Sequence, residues 1–170
     1  MKRQQPPIMA IHLTAHGFGY VVMSAPFSLV DWGTRCVTKH KNAACLARLT
    51  KLLDRHDPHT LVLEDPSQGK VRSARIVNLS KSIASLCHSR SIDLAVFSRA
   101  DMYGCYTSVG AKGWQDIAEA VGRQLEPLRK LVPSRRKAWQ TESRRMSVFM
   151  AAAIAMTYWQ LADTSRAELS

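Results

Sequence analysis

Two acidic residues stand where a short apolar segment ends. Segment 60–63 reads Thr-Leu-Val-Leu, which is typical of a buried strand, and Glu64 and Asp65 follow it directly, before Pro66. Strand ends that follow crossover connections are common positions for chemistry. Carboxylates there can bind a hard cation or transfer a proton, and they can also simply cap the following turn. The sequence alone leaves both interpretations open.

A cluster of basic residues forms a second candidate site, near the end of the chain. Between positions 123 and 145, eight Lys and Arg residues accompany only two Glu residues. Cations bind phosphates and tryptophans stack on unpaired bases, so this segment, with Trp114 upstream, is a predicted DNA-binding surface. A solvated loop around a buried tryptophan is the alternative. The residues proposed to contact DNA are Arg135, Arg136, Lys137, Trp139, Arg144 and Arg145.

A smaller basic group follows Glu64 at the start of a predicted helix. Lys70, Arg72 and Arg75 lie there, next to Gly69. A helix N-terminus presents backbone N–H groups that can receive a phosphate, so these residues are a second candidate DNA contact. Equally, they can serve only to keep the helix soluble.

Composition limits the class of protein. A chain of 170 residues suits one domain, and a formal net charge of +11 favours an acidic partner, most commonly nucleic acid. The longest largely apolar run, over 148–159, is too short to cross a bilayer, and the first ten residues lack the apolar region of a secretory signal. We therefore expect a cytoplasmic protein. The four cysteines form no CxxC pair, which predicts buried free thiols.

Hydrophobic periodicity predicts a mixed fold in the order βββαβαβα. We expect tails at 1–7 and 163–170 around a single domain at 8–162, and region 111–140 is predicted as short helices and a loop because glycines and prolines interrupt it. The predicted strands cover 8–14, 20–24, 27–37, 60–63 and 92–97, and the predicted helices cover 42–55, 71–89, 99–104 and 141–163. Ser98 is a predicted N-cap.

This order is that of the ribonuclease-H-like fold, an α/β architecture with a mixed five-stranded sheet and helices on both faces. Local sequences sharpen the resemblance: IMAIHLT at 8–14 followed by GFGY at 17–20, VDWG at 30–33, LVLE at 61–64, and RMSVFMAAAIAMTYW at 145–159. Together they resemble a RuvC-type Holliday-junction resolvase over residues 8–162. Arg99, after the fifth strand, would then face the same end of the sheet as Glu64, which makes it a third candidate DNA contact.

The resemblance implies four acidic residues that hold two divalent metal ions, one acid on the first strand, one ending the fourth, and two on the last helix. These positions fall on His12, Glu64, Ser147 and Met150, so only Glu64 is an acid. No Asp or Glu occurs between positions 144 and 160, so a slip in the alignment cannot restore the site. We therefore expect no conventional two-metal cleavage.

One alternative retains catalysis. His12 and His16, with Glu64 and Asp65, are a candidate metal site for a borderline ion such as Mn²⁺ or Zn²⁺, which would support slow one-metal hydrolysis, and Mg²⁺ or Mn²⁺ would be the cofactor of any residual activity. Against it, a histidine in an apolar strand is commonly a neutral core imidazole. No cofactor is the default expectation.

The leading hypothesis is a RuvC-like protein that binds branched or distorted DNA without cutting it efficiently. The second is an active junction endonuclease with an altered metal site, and the third is an interaction subunit of a DNA-processing assembly. The resemblance also implies a homodimer matched to the two-fold symmetry of a four-way junction. Apolar positions on the second helix or around 102–106 are the candidate interface.

Overall fold

The computed structural model describes residues 6–66, 73–135 and 143–169, with side chains up to residue 162. Within these ranges the chain forms one five-stranded sheet, in the spatial order β3-β2-β1-β4-β5. The strands are β1 (Ile8–Thr14), β2 (Gly17–Ala25), β3 (Ser28–Cys36), β4 (Thr60–Glu64) and β5 (Asp93–Phe97). The first three pair antiparallel, and β4 and β5 continue the sheet in parallel from β1. The mixed sheet predicted from sequence is confirmed.

Helices cover both faces of the sheet, as predicted. They are α1 (Lys41–His56), α2 (Ala74–Ser89), α3 (Arg99–Tyr106), α4 (Trp114–Gln124) and α5 (Met146–Leu169). One apolar core lies under α1 and α2, and a second lies under α3, α4 and α5. Because both faces are covered, the side chains of β1 are buried on both faces up to Leu13, which explains why this strand is apolar rather than alternating.

Several element boundaries differ from the sequence-based predictions. In region 111–140, the described part up to residue 135 contains a helix of 11 residues, α4, followed by a 3₁₀ helix over Glu126–Leu131. The final helix begins at Met146 rather than at 141, and its backbone continues to Leu169 through most of the segment predicted as a tail. Residues 71 and 72, the predicted start of the second helix, lie outside the described ranges.

Two residues of the candidate interface around 102–106 pack against the chain itself, whereas residues 103–105 are half-buried or exposed. Met102 and Tyr106 are both 2% exposed because they pack into the core beneath α5. They therefore offer little surface to a second copy. On α2, the apolar residues Ile76, Leu79 and Ile83 are likewise buried, in the opposite core.

The four cysteines are free, but the prediction that all are buried holds for only two of them. Cys45 and Cys87 are buried, Cys105 is half-buried, and Cys36 is exposed at the end of β3. Within the described ranges, none of the helices combines the length and the apolar character that a membrane crossing requires.

The first turn of α5 lies directly on the sheet at Gly19. A Cβ atom at Gly19 would come within 2.4 Å of the carbonyl carbon and of Oγ of Ser147. Gly19 is also the pairing partner of His12. The missing side chain thus lets the start of α5 approach β1 and β2 closely, and it places Ser147 beside His12.

We predict that Gly19→Ala lowers the free energy of unfolding by about 1–3 kcal/mol, because the added methyl group overpacks a backbone contact. Urea unfolding followed by circular dichroism measures this change. Gly104→Ala is the matched control, since a Cβ atom there meets nothing within 4 Å. At this exposed position of α3 the control should be neutral or stabilising by about 1 kcal/mol. Equal effects of the two substitutions would contradict the close approach at Gly19.

Candidate nucleic-acid-binding cleft

The carboxyl ends of three strands meet at one edge of the sheet. Since β1 and β4 are parallel, with Ile11 beside Leu63, the next residues His12 and Glu64 become neighbours. Their side chains lie 3.6 Å apart, from Nδ1 to Oε2, and both residues are buried. β4 and β5 are also parallel, so Glu64 pairs with Phe97 and the start of α3 follows at the same edge.

Arg99 joins this pair from the first position of α3. Its Nε donates a hydrogen bond to Oε1 of Glu64 at 3.0 Å. The backbone at this point is held by a capping box in which Ser98 and Asp101 bond each other's backbone N–H groups. The predicted N-cap at Ser98 is confirmed, and the predicted location of Arg99 at the Glu64 end of the sheet is correct. The capping box fixes where the arginine leaves the backbone.

Trp114, the first residue of α4, closes the group into a ring of contacts. The Arg99 guanidinium lies 4.6 Å from the centroid of the indole ring, which is a cation–π distance. The indole also meets the imidazole of His12 edge-on, with ring centroids 5.3 Å apart at 71°. We call these four residues, His12, Glu64, Arg99 and Trp114, the Glu64 cluster. Each member contacts two others, so each restricts the positions of its neighbours.

The residues at the remaining family positions do not fit two divalent metal ions. Ser147 lies close to His12, but its hydroxyl donates to the carbonyl oxygen of Arg144 at 2.8 Å. Met150 is fully buried and would present only a thioether, a poor ligand for a hard cation. Glu64 is the single carboxylate among these positions, and Arg99 already binds one of its oxygens. The donor set therefore disagrees with the metal pair that the resemblance implies.

The alternative metal site is not assembled either. Among the described residues, no three His, Cys, Asp or Glu side chains are grouped so that they could hold a metal ion. His12 and Glu64 are neighbours, whereas His16 lies exposed in the turn between β1 and β2. The predicted set of His12, His16, Glu64 and Asp65 thus does not form a four-ligand cluster, because its members are spread along the edge of the sheet.

A cleft of about 360 Å³ opens beside the Glu64 cluster. It runs between the β1–β2 turn, the end of β3 and the start of α5. Among the described residues, two guanidinium groups and two imidazoles line it, and neither Asp nor Glu does so. The lining residues are His12, Thr14, Ala15, His16, Phe18, Thr34, Arg35, Cys36, Trp114, Ser143, Arg144, Met146 and Ser147. The surface of the cleft is suited to an anion.

Arg35 is held at the cleft by a polar network on β2, β3 and α1. Its Nη2 donates to the hydroxyl oxygen of Tyr20 at 3.3 Å, and its guanidinium lies 5.0 Å from the Tyr20 ring centroid. The Tyr20 hydroxyl donates to Oδ2 of Asp31 at 3.1 Å, and Nε2 of His56 lies 2.9 Å from the same oxygen. Burial, and then the charge of Asp31, raise the pKa of the Tyr20 phenol. The phenol therefore remains a hydrogen-bond donor to Asp31.

The predicted DNA-binding residues have different positions. Arg144 lines the cleft, with Nη1 3.7 Å from Sγ of Cys36, and Arg145 is exposed nearby. Arg75 instead holds the β1–β2 turn, because its guanidinium donates to Oδ1 of Asn42 and to the carbonyl oxygen of Thr14. Lys70, Arg72, Arg136, Lys137 and Trp139 lie outside the described residues.

Arg135 is engaged in surface ion pairs. It donates to Oδ1 of Asp116 at 2.7 Å and to Oε2 of Glu119 at 3.3 Å. The backbone N–H of Lys112 and the Arg135 guanidinium together hold the pKa of Asp116 below its usual value. The side chain of Arg135 is 64% exposed, so water screens these pairs.

Sequence reasoning missed Arg35 and Cys36 as cleft residues. The alternating pattern of β3 did contain a signal, because a strand that returns antiparallel to β2 must end beside the β1–β2 turn. Arg35 and Cys36 are the last two residues of that strand. Their positions at the cleft therefore follow from the hairpin geometry and not from any motif.

The fold is the ribonuclease-H-like one expected from the sequence, and it is similar to the fold of solved RuvC structures. The chain is similar to the solved structure of Thermus thermophilus RuvC, with a TM-score of 0.69 and 14% sequence identity over 94% of this chain and 96% of that one. It is similar to T. thermophilus RuvC in complex with a Holliday junction substrate, with a TM-score of 0.69 and 13% identity over 95% of this chain and 97% of that one. No family model and no curated protein sequence matches the chain.

We predict that Cys36 is the first thiol to react with a bulky thiol reagent at about pH 8. Cys36 is exposed, whereas Cys87 is buried and burial raises the pKa of its thiol to about 11, so it stays protonated and shielded. The reaction time course should contain one fast phase that Cys36→Ser removes. Cys105→Ser is the control and should leave the fast phase intact. A fast phase that survives Cys36→Ser would contradict the exposure of the cleft at this point.

Proposed function

We propose that the protein binds branched or distorted DNA through the cleft and does not cut it efficiently. The observation that carries this proposal is a cleft whose described lining residues include two arginines and no acid. It adjoins Glu64, the one acid among the four positions that the resemblance marks as catalytic, and Glu64 is already paired with Arg99. The solved complex of T. thermophilus RuvC with a Holliday junction substrate supports junction DNA as the ligand class.

The chemistry of the cleft suits a nucleic-acid backbone. The guanidinium groups of Arg35 and Arg144 both line the cleft, one from β3 and one from the segment before α5. Guanidinium donors match the geometry of phosphate oxygens. Trp114 lines the same cleft and offers an aromatic surface for an unpaired base, as occurs where strands separate at a branch point. Neither carboxylates nor bound metal ions are needed for this binding.

The second hypothesis, an active endonuclease with an altered metal site, receives less support from the side chains available as metal ligands. Two-metal hydrolysis uses several carboxylates to bring two cations close together, and here His12, Ser147 and Met150 stand in three of the four positions. The loss of negative charge beside the scissile phosphate also strengthens phosphate binding. Selective binding and slow or absent cleavage are therefore two consequences of the same substitutions.

The proposal also includes the oligomeric state of the protein and the choice between DNA and a protein as its ligand. A four-way junction has two-fold symmetry, so a homodimer would place one cleft on each half of the junction. The third hypothesis, an interaction subunit, would instead direct the same basic surface to an acidic protein. Salt dependence separates the two ligands, because several phosphate contacts cause a steep loss of affinity with rising salt.

The first prediction is that the protein shifts a labelled four-way junction at lower concentration than a matched linear duplex. The shift should be equal in EDTA, Mg²⁺ and Mn²⁺, and denaturing gels of the same samples should show no cuts. Sedimentation of the complex gives the number of protein chains per junction. Metal-dependent cuts that Glu64→Gln abolishes would establish the nuclease hypothesis instead. No binding to either DNA at low salt would overturn the proposed function.

The second prediction assigns the binding to the cleft. The double variant Arg35→Gln/Arg144→Gln should bind the junction about tenfold more weakly at roughly 0.1 M salt, and its log–log salt slope should fall by about two. The matched control is Lys51→Gln/Arg55→Gln, which removes the same charge from exposed positions on α1 that do not line the cleft. Fluorescence anisotropy measures both, and thermal melting confirms that the variants are folded. Equal losses for the two pairs would mean that only net charge matters.

A further inference from the structure

The Arg99 guanidinium lies at the acid that the family uses to hold metal. Its Nε bonds Oε1 of Glu64 at 3.0 Å, while His12 Nδ1 lies 3.6 Å from the other oxygen. Glu64 is 9% exposed, so its charge is largely removed from water and needs a compensating cation. In a resolvase with four acids that compensation comes from divalent ions. Here Arg99, a residue of the chain itself, supplies a compensating positive charge.

Arg99 is fixed in this position by three independent contacts. The capping box of α3 holds its backbone, the Trp114 ring lies against its guanidinium, and Glu64 accepts its hydrogen bond. Its side chain is 29% exposed, half-buried between the strand ends and α4. A guanidinium group is effectively always charged in proteins. The positive charge at Glu64 is therefore permanent.

We propose that Arg99 has replaced the divalent metal as the resident cation of this site and excludes such ions from Glu64. A divalent ion at Glu64 would have to displace the guanidinium from Oε1 or accept a like charge within a few ångströms of it, and both weaken its binding. Glu64 is then a positioning residue that holds Arg99, and through it Trp114, at the edge of the cleft. The inference concerns the same site as the proposed function, but it does not depend on DNA binding.

The test restores carboxylates and asks whether Arg99 still prevents metal binding. His12→Asp and Ser147→Asp place two carboxylates near Glu64, because His12 is its neighbour and Ser147 lies beside His12 and lines the cleft. The double variant H12D/S147D retains Arg99. The triple variant H12D/S147D/R99M replaces Arg99 with an uncharged side chain of similar length. Mn²⁺ alone is titrated into each protein by calorimetry, without DNA.

We expect no heat from the unmodified protein with millimolar Mn²⁺, and Mn²⁺ binding to the triple variant at least tenfold tighter than to the double variant. H12D/S147D/R99K separates charge from shape, because lysine keeps the positive charge, and it should bind Mn²⁺ as weakly as the double variant. R99Q is a second neutral substitution if R99M does not fold, and circular dichroism establishes folding for each protein.

Equal Mn²⁺ affinities in the double and triple variants would overturn the proposal, as would tight Mn²⁺ binding by the lysine variant. Tight binding of Mn²⁺ by the unmodified protein would overturn it too, provided that Glu64→Gln abolishes that binding. The DNA-binding experiments remain informative in each case. A metal site that Arg99 does not block can coexist with a basic cleft, and a blocked site can coexist with a cleft that does not bind DNA.

Discussion

The buried carboxylate of Glu64 is the constraint around which this end of the molecule is arranged. A largely buried charge without a partner costs several kcal/mol, so a chain that keeps this acid must also supply a cation. Arg99 can do so only if β5 runs parallel to β4 and α3 begins at the same edge, as the structure has it. The indole of Trp114 and the imidazole of His12 then complete the surroundings of the ion pair. The sheet topology therefore determines which cation can reach Glu64.

The position of Arg35 in the cleft depends on a separate polar network. Asp31 on β3 accepts a hydrogen bond from Tyr20 and lies within bonding distance of His56 at the end of α1. Because His56 is the last residue of α1, this network connects that helix to the strand that carries Arg35. The α1 side of the sheet therefore contributes to the cleft indirectly, by holding one of its two arginines.

Much of the fold could be predicted from the sequence because its elements carry clear hydrophobic signals, either the period of an amphipathic helix such as α1 or the continuous apolar run of a strand such as β1. The short apolar strand that ends at Glu64 and the helix cap at Ser98 are local signals, and the structure confirms both predictions. Region 111–140 was harder, since Gly122 normally weakens a helix, yet in α4 a side chain at that position would collide with Val132. A small residue required by tertiary packing there looks, in sequence, like a helix breaker.

The site was less predictable because its contacts join residues far apart in the sequence. Arg99 and Trp114 flank one acid only after α3 and α4 fold back over the sheet, and no spacing rule places them together. Basic residues posed a related difficulty. Arg75 and Arg35 are indistinguishable by composition, but one satisfies the carbonyl oxygens of a turn while the other lines the cleft. Charge alone predicts an anionic partner and cannot say which arginines are committed to the fold.

The proposed function gives Glu64 and the three non-acidic positions near it a common physical explanation. With His12, Ser147 and Met150 at those positions, a divalent ion would find few carboxylate ligands. Arg99 brings a positive charge to the buried carboxylate of Glu64 and adds no negative charge to the cleft. Replacing Glu64 by a neutral residue would release Arg99 from its position against Trp114. A role in holding Arg99 is therefore enough to account for this acid, and its presence is not by itself a sign of catalysis.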